Sequence, residues 1–289
     1  MRARTFAAPL PVCLAIALLL AAGRAGAADE PEPAPGAKPV WDFGLGVGVV
    51  SFGDYRGADT THVYVLPLPV LYYRGKFLKS DRKGIRGKLF RQDWVELNIS
   101  ANATTPVRRN AARAGMPDLR STVEIGPSLD LHLWKSADER TTFDVRLPLR
   151  GVFTVQAPPH SIGAVFAPNA SIDIKDVAGF HGWYFGALAG PLFADHRYHD
   201  YFYTVAPQYA TPARPAYQAS AGYSGAEILF ALSKRYPSFW VGAYVRHDTL
   251  AGAVFESSPL VKRDSYWAAG AGIAWIIHQS RELVDDSDE

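Results

Sequence analysis

Between Arg120 and Trp134 polar and apolar residues alternate almost without a break. Val123, Ile125, Leu129, Leu131 and Leu133 share one parity; Glu124, Ser128, Asp130, His132 and Trp134 share the other. A strand sends successive side chains to opposite faces, so one face is apolar and the other charged. The pattern recurs. Phe43, Leu45, Val47 and Val49 alternate with Gly44, Gly46 and Gly48, and Val95, Leu97, Ile99 and Ala101 with Trp94, Glu96, Asn98, Ser100 and Asn102. Phe143, Val145, Leu147, Leu149 and Phe153 alternate with Asp144, Arg146 and Arg150. Further strands are predicted at 62–74, 76–80, 84–90, 162–174, 182–194, 217–233, 239–250 and 264–277. Links after odd strands are often long (53–61, 104–118, 195–216, 251–263), and those after even strands short (75, 135–140, 234–238). Short periplasmic turns and longer outer loops are the rhythm of outer-membrane barrels, so the fold predicted is all-β: a closed antiparallel transmembrane β-barrel of about twelve strands. Pro127, Pro148, Pro168 and Pro191 fall inside these strands. Proline removes a ladder hydrogen bond, so bulges or rims are expected there.

The ends add an address. Arg2 and Arg4 precede an apolar run from Val12 to Ala22, and Ala25-Gly26-Ala27 follows. That is the layout of a cleaved secretory signal peptide over 1–28, which implies export through the Sec pathway. The run is too short for a membrane helix, which needs about 20 apolar residues. Residues 29–40, rich in Pro, Ala and Glu, read as a disordered periplasmic leader. The barrel is expected over 41–278, and 279–289 as an acidic C-terminal tail, read as a disordered end or a periplasmic contact segment. Cys13 lies inside the apolar run rather than after the cleavage site, so lipidation is excluded and the mature chain has no thiol chemistry. Removing Arg2, Arg4 and Arg24 leaves 27 basic against 28 acidic residues, which gives no general drive toward nucleic acid.

Register extends the argument. The turn at 135–140 joins two strands whose charged positions are all even-numbered. One register sets Glu124 against Arg150; the next sets Asp130 against Arg146 and His132 against Asp144. Either way acids meet bases on the inner face, and Glu124, Asp130, Asp144, Arg146 and Arg150 are the candidate lumen salt bridges.

Other clusters are weaker. Asp195-His196 and His199-Asp200 have the composition of a hydrolytic or metal site. No Gly-x-Ser-x-Gly elbow accompanies them and no serine is evidently paired with them, so loop packing is the better reading. No catalytic, cofactor or metal residue is therefore assigned, and no cofactor is expected. Gly44-x-Gly46-x-Gly48 lies within a strand pattern and reads as a crowded inner wall, not a nucleotide loop. Lys79, Arg82, Lys83, Arg86, Lys88 and Arg91, and also Arg108, Arg109 and Arg113, are either solvated faces or contacts for lipopolysaccharide phosphates. Trp183, Trp240, Trp267 and Trp275 read as aromatic girdles.

Four stretches in order resemble the MipA/OmpV family of outer-membrane proteins. They are Gly46-Val47-Gly48-Val49-Val50-Ser51 leading into Asp54-Tyr55-Arg56-Gly57-Ala58-Asp59, and Leu66-Pro67-Leu68-Pro69-Val70-Leu71-Tyr72-Tyr73-Arg74. The others are Arg197-Tyr198-His199-Asp200-Tyr201-Phe202-Tyr203-Thr204-Val205 followed by Arg214-Pro215-Ala216-Tyr217, and Ser258-Pro259-Leu260-Val261. The resemblance spans roughly Trp41 to Ile277. It implies a non-enzymatic outer-membrane barrel that contacts membrane lipid and lipopolysaccharide. It also implies a scaffold for peptidoglycan remodelling, with a lytic transglycosylase and a penicillin-binding protein as partners. A porin-like channel or surface antigen is the alternative the family allows, and an outer-membrane lipid hydrolase a more distant one. The chain departs from the usual end of such barrels, because a polar tail follows Trp275–Ile277 where a terminal aromatic is common.

Overall fold

A computed structural model describes residues 37–74, 78–81, 84–87, 90–92 and 94–285. The signal peptide, most of the leader, Arg82, Lys83, Lys88 and the last four tail residues lie outside the described residues. Fourteen described strands form one antiparallel sheet. They are β1 (Trp41–Gly53), β2 (Thr61–Arg74), β3 (Leu78–Asp81), β4 (Gly84–Gly87), β5 (Phe90–Gln92), β6 (Val95–Thr104) and β7 (Thr122–Lys135). The rest are β8 (Thr141–Thr154), β9 (His160–Phe166), β10 (Asn169–Lys175), β11 (Trp183–Ala194), β12 (Gly222–Arg235), β13 (Phe239–Thr249) and β14 (Ser265–Gln279). The sheet runs β4-β3-β2-β1-β14-β13-β12-β11-β9-β8-β7-β6-β5, with β10 pairing β8 and β11 off this path, so the first long strand pairs with the last. No helix among the described residues is long and apolar enough to cross a membrane.

Burial along the strands runs opposite to that of a water-soluble sheet. In β7, Thr122, Glu124, Ser128 and Asp130 are buried, while Val123, Ile125, Leu129 and Leu133 are exposed. β6 repeats this, with Glu96 and Asn98 buried and Ile99 exposed. Water would favour the reverse, since a buried carboxylate needs a partner and an exposed leucine forfeits burial energy.

Several sequence expectations need correction. Trp134 shares its parity with His132 but is 55% exposed, because the β7–β8 register shifts between these two residues. The strand expected at 162–174 is two strands. β9 pairs the outer part of β8 and β10 its other part, and Pro168 lies in the break between them. Pro191 also sits at a register shift, as proline's missing N–H requires. Pro67 and Pro69 lie on β2, whose described ladder on the side away from β1 is confined to Tyr73 and Arg74. Tyr217 does not begin a strand; it bridges Val205 inside a long link, and β12 starts only at Gly222.

The apolar core gathers at one end of the sheet, where Val152, Ile162, Val165 and Ala194 of the strands join residues of the links. Four links, 54–60, 105–121, 195–221 and 250–264, all leave the same end of the sheet. They share one hydrophobic cluster that includes Tyr55, Val107, Phe202, Tyr203, Leu250 and Phe255. The opposite end carries the turns 136–140, 176–182 and 236–238.

Candidate functional site

The buried polar face begins on β7 and β8. Their ladder sets Asp130 opposite Arg146 and His132 opposite Asp144. Glu124 stands opposite Val152, yet Arg150 leans back along its strand and its Nε donates to Glu124 Oε2 at 2.9 Å. Both sets of charges named from the sequence are thus brought together, one across the ladder and one diagonally. The contacts then spread sideways. Arg150 Nη1 donates to Ser100 Oγ at 3.2 Å on β6. Asp130 accepts from Asn98 Nδ2 at 2.8 Å and Ser128 Oγ at 2.6 Å, and lies 4.0 Å from Arg146 Nε. Arg146 Nη2 is 3.8 Å from Asp173 of β10. His132 is held between Asp144 at 2.9 Å and Glu96 at 3.8 Å. Charges taken out of water need such partners, because a lone buried charge costs several kcal/mol.

Two further clusters have no precedent in the sequence reading. Arg56, from the link after β1, reaches Asp248 of β13 at 3.0 Å and Glu227 of β12 at 4.0 Å. Arg246 completes that group through Asp248 at 2.8 Å. At the other end Arg235 meets the fully buried Asp42 at 3.0 Å. The even-numbered run Tyr244, Arg246 and Asp248 was a readable hint of an inner face; Arg56 sits in a turn and gave none. Next to these charges β1 and β14 are nearly bare. A Cβ on Gly46 would strike the Ile273 carbonyl of β14, so the glycine serves close strand approach, as its strand pattern implied.

The four long links form a cap at their end of the sheet and are tied to one another by hydrogen bonds. Tyr55 Oη donates to the Leu260 carbonyl at 2.8 Å, and Tyr203 Oη to the Arg56 carbonyl at 3.0 Å. Ser258 Oγ donates to the Tyr203 carbonyl at 2.7 Å. The rings of Tyr203 and Phe255 stack with centroids 3.7 Å apart. Burial pushes the Tyr55 hydroxyl up to about 12, with the Arg113 cation opposing.

The acid–histidine cluster falls on a helix, α1 (His196–Tyr203), which strand patterning did not predict. Asp195 is its N-cap and accepts from Tyr198 N at 2.9 Å. His199, Phe202 and Tyr203 form its buried face at helical spacing. Eight aromatic-rich residues gave too short a period to read. Gly163, at φ 122°, lets β9 pass under the cap, since a Cβ there would strike the Asp195 carboxylate. His196 Nδ1 pairs with Asp200 at 2.8 Å near the surface. His199 does have a serine partner: Nε2 lies 2.7 Å from Ser224 Oγ and Nδ1 2.6 Å from the Ser220 carbonyl. With Nδ1–H donating to that carbonyl, Nε2 accepts the serine proton. That is the arrangement of an activated serine, but His199 is fully buried and Ser224 nearly so. Burial also lowers the pKa of His199, with the Ser220 carbonyl opposing, so the ring is held neutral. The dyad is a satisfied polar contact inside the cap. Among the described residues no group of three His, Cys, Asp or Glu side chains is placed to hold a metal.

Six tryptophans lie toward the end with short turns: Trp41, Trp94, Trp134, Trp183, Trp240 and Trp275. Trp94, Trp134 and Trp275 are half exposed or more. Trp240 departs from the girdle expectation. Its ring lies over Gly242, on the face that also carries Arg246 and Asp248.

Comparison with solved structures finds the bacterial polysaccharide outer membrane secretin at 8% identity and TM-score 0.37, with 82% of this chain and 98% of that chain covered. The outer membrane phospholipase A from Escherichia coli aligns at 11% identity and TM-score 0.33, covering 83% and 98%. The outer membrane protein OprG from Pseudomonas aeruginosa aligns at 8% and 0.24, covering 83% and 94%. No curated protein matches the chain. The family model of MltA-interacting protein MipA matches residues 45–277, which takes in β1 to β14 almost entire, and the chain belongs to that family.

Proposed function

We propose that this chain is an exported, non-enzymatic outer-membrane protein that acts as a scaffold for peptidoglycan-remodelling complexes. In this reading the signal peptide over 1–28 is removed and the sheet over 41–278 closes into a barrel of about twelve lanes. β9 and β10 share one lane, and β4 and β5 share another. The outward leucines and valines meet lipid, and the outer cap faces lipopolysaccharide. The leader over 29–40, the short turns and the acidic tail over 279–289 form the periplasmic contact surface. A lytic transglycosylase and a penicillin-binding protein are the expected partners, in line with the family's description as MltA-interacting.

One observation supports a scaffold over a channel: charged side chains meet on the face that would line the lumen. Arg56 drops from the outer cap onto Asp248 and Glu227, and the Glu124–Arg150 pair stands on the β7–β8 part of the wall. A conducting lumen of this strand number has little width to spare for such groups. The test has two arms. Pull-down from solubilised envelopes should recover a murein hydrolase or synthase; recovery of neither would overturn the scaffold. Planar-bilayer recording should be silent, whereas stable single-channel conductance would establish a porin-like channel instead.

A further inference from the structure

We propose that a cleft in the 105–121 link binds a small oxyanion group, a phosphate or a carboxylate, with Arg113 as its anchor. The cleft holds about 110 Å³ and is walled by Arg109, Asn110, Arg113, Gly115 and Asp118 among others. The link carries four arginines, Arg108, Arg109, Arg113 and Arg120, against one acid, Asp118.

Two buried guanidiniums share the cap and differ in how they are satisfied. Every guanidinium nitrogen of Arg214 has an acceptor, among the carbonyls of Tyr209, Ala112 and Ala114 at 2.7–3.3 Å. Arg113 is 8% exposed, and its Nη1 donates to the Phe202 carbonyl at 2.9 Å. Its Nε–H has no acceptor, and no carboxylate among the described residues forms an ion pair with it. A guanidinium has five N–H donors in a planar fork suited to a carboxylate or phosphate. Leaving such a cation buried and unpaired is costly, so an anion from outside stabilises it. Burial accordingly lowers the pKa of Arg113, with the Tyr55 hydroxyl opposing. Asp118 is exposed at the cleft edge and its Oδ1 accepts from Arg109 N at 3.4 Å, so it competes with an incoming anion and sets a modest affinity. Asn110 is engaged elsewhere, donating to Asp54 at 2.7 Å, and holds the cleft floor in place. The inference does not depend on the scaffold reading, since it concerns the opposite end of the sheet.

The test uses the full chain in phosphate-free detergent. Calorimetric titration with inorganic phosphate and, separately, with acetate should give saturable one-site binding for at least one probe. Arg113→Lys keeps the charge but loses the fork, and should weaken binding at least tenfold. Asp118→Asn, at an exposed position, should tighten it severalfold, and reads out even if the Arg113 variant disturbs the cap. Competition by lipopolysaccharide micelles would assign the group to a lipid headgroup; binding without competition would assign it to a free oxyanion. Absence of saturable binding in both the parent chain and Asp118→Asn overturns the site. So does binding by Arg113→Lys equal to the parent.

Discussion

In the outer cap Phe255, Leu250 and Leu260 are buried while Arg108 and Arg109 are exposed; along β7 Glu124 and Asp130 are buried while Ile125 and Leu133 are exposed. One chain therefore folds two regions by opposite sorting of the same residue types. The cap follows the rule for water: apolar groups go inside because burying them releases about 25 cal/mol per Å². The wall follows the rule for lipid, where nothing is gained by hiding a leucine and every charge must be satisfied within the protein. The surroundings, not the residues, therefore decide which face is the inside. It also separates two kinds of stability. Packing holds the cap, and paired charges brace the wall.

Substitutions can break this contrast. The largest effect is expected for Phe255→Ala, which removes the ring stacked on Tyr203. A loss of about 3–5 kcal/mol in the cap follows, visible as rapid proteolysis of the 195–221 and 250–264 links with the strand circular dichroism retained. Loss of both together would show that cap and wall are one cooperative unit. Leu129→Arg comes next. On a lipid-facing strand it should cost about 2–4 kcal/mol, read by unfolding in urea from reconstituted bilayers. A soluble sheet would accept it with little change, so a neutral result defeats the membrane reading of the wall. Glu124→Gln keeps the shape but removes the charge that Arg150 contacts. An expected loss of about 1–3 kcal/mol in the same assay tests whether the inner charges brace the wall.

The cap should also carry a pH dependence that the wall's lipid face lacks. His199 is neutral when folded, with its pKa depressed by burial. The unfolded chain binds its proton near pH 6.5, so its contribution is fully present above that pH. It is lost as pH falls toward the lower folded value, by at most about 1.4 kcal/mol per pH unit. Proteolysis of the cap should quicken below pH 6.5, and His199→Gln should flatten that trend. The smallest effect is expected at His196, which is half exposed and paired with Asp200. His196→Ala should change stability by less than about 1 kcal/mol.

How far the sequence could be read follows from the range of each interaction. The β7 alternation was legible, and the β7–β8 register to within two alternatives, because a strand's period and a short hairpin are local. Glu124, Asp130, Asp144, Arg146 and Arg150 could be named for that reason. The reading failed where a local pattern met a distant partner. Trp134 kept its parity in the sequence but lost it at a bulge in the β7–β8 ladder. The 162–174 segment looked continuous, yet the gap at Pro168 divides it. α1 was hidden because its periodicity matters only once the cap offers a core to face.

The residues alone set the strand period, the unequal links at the two ends and the charged side of β6, β7 and β8. These follow from side-chain geometry along a few residues. Tertiary structure alone decided that Arg56 meets Asp248, that Arg235 meets Asp42, that His199 finds Ser224, and that four separate links share one core. The arginine–carboxylate partners lie far apart in the chain, and His199 and Ser224 sit on different elements. Their distances depend on how the whole sheet curls and on how the links fold back over its end, and no stretch of residues encodes that curvature alone.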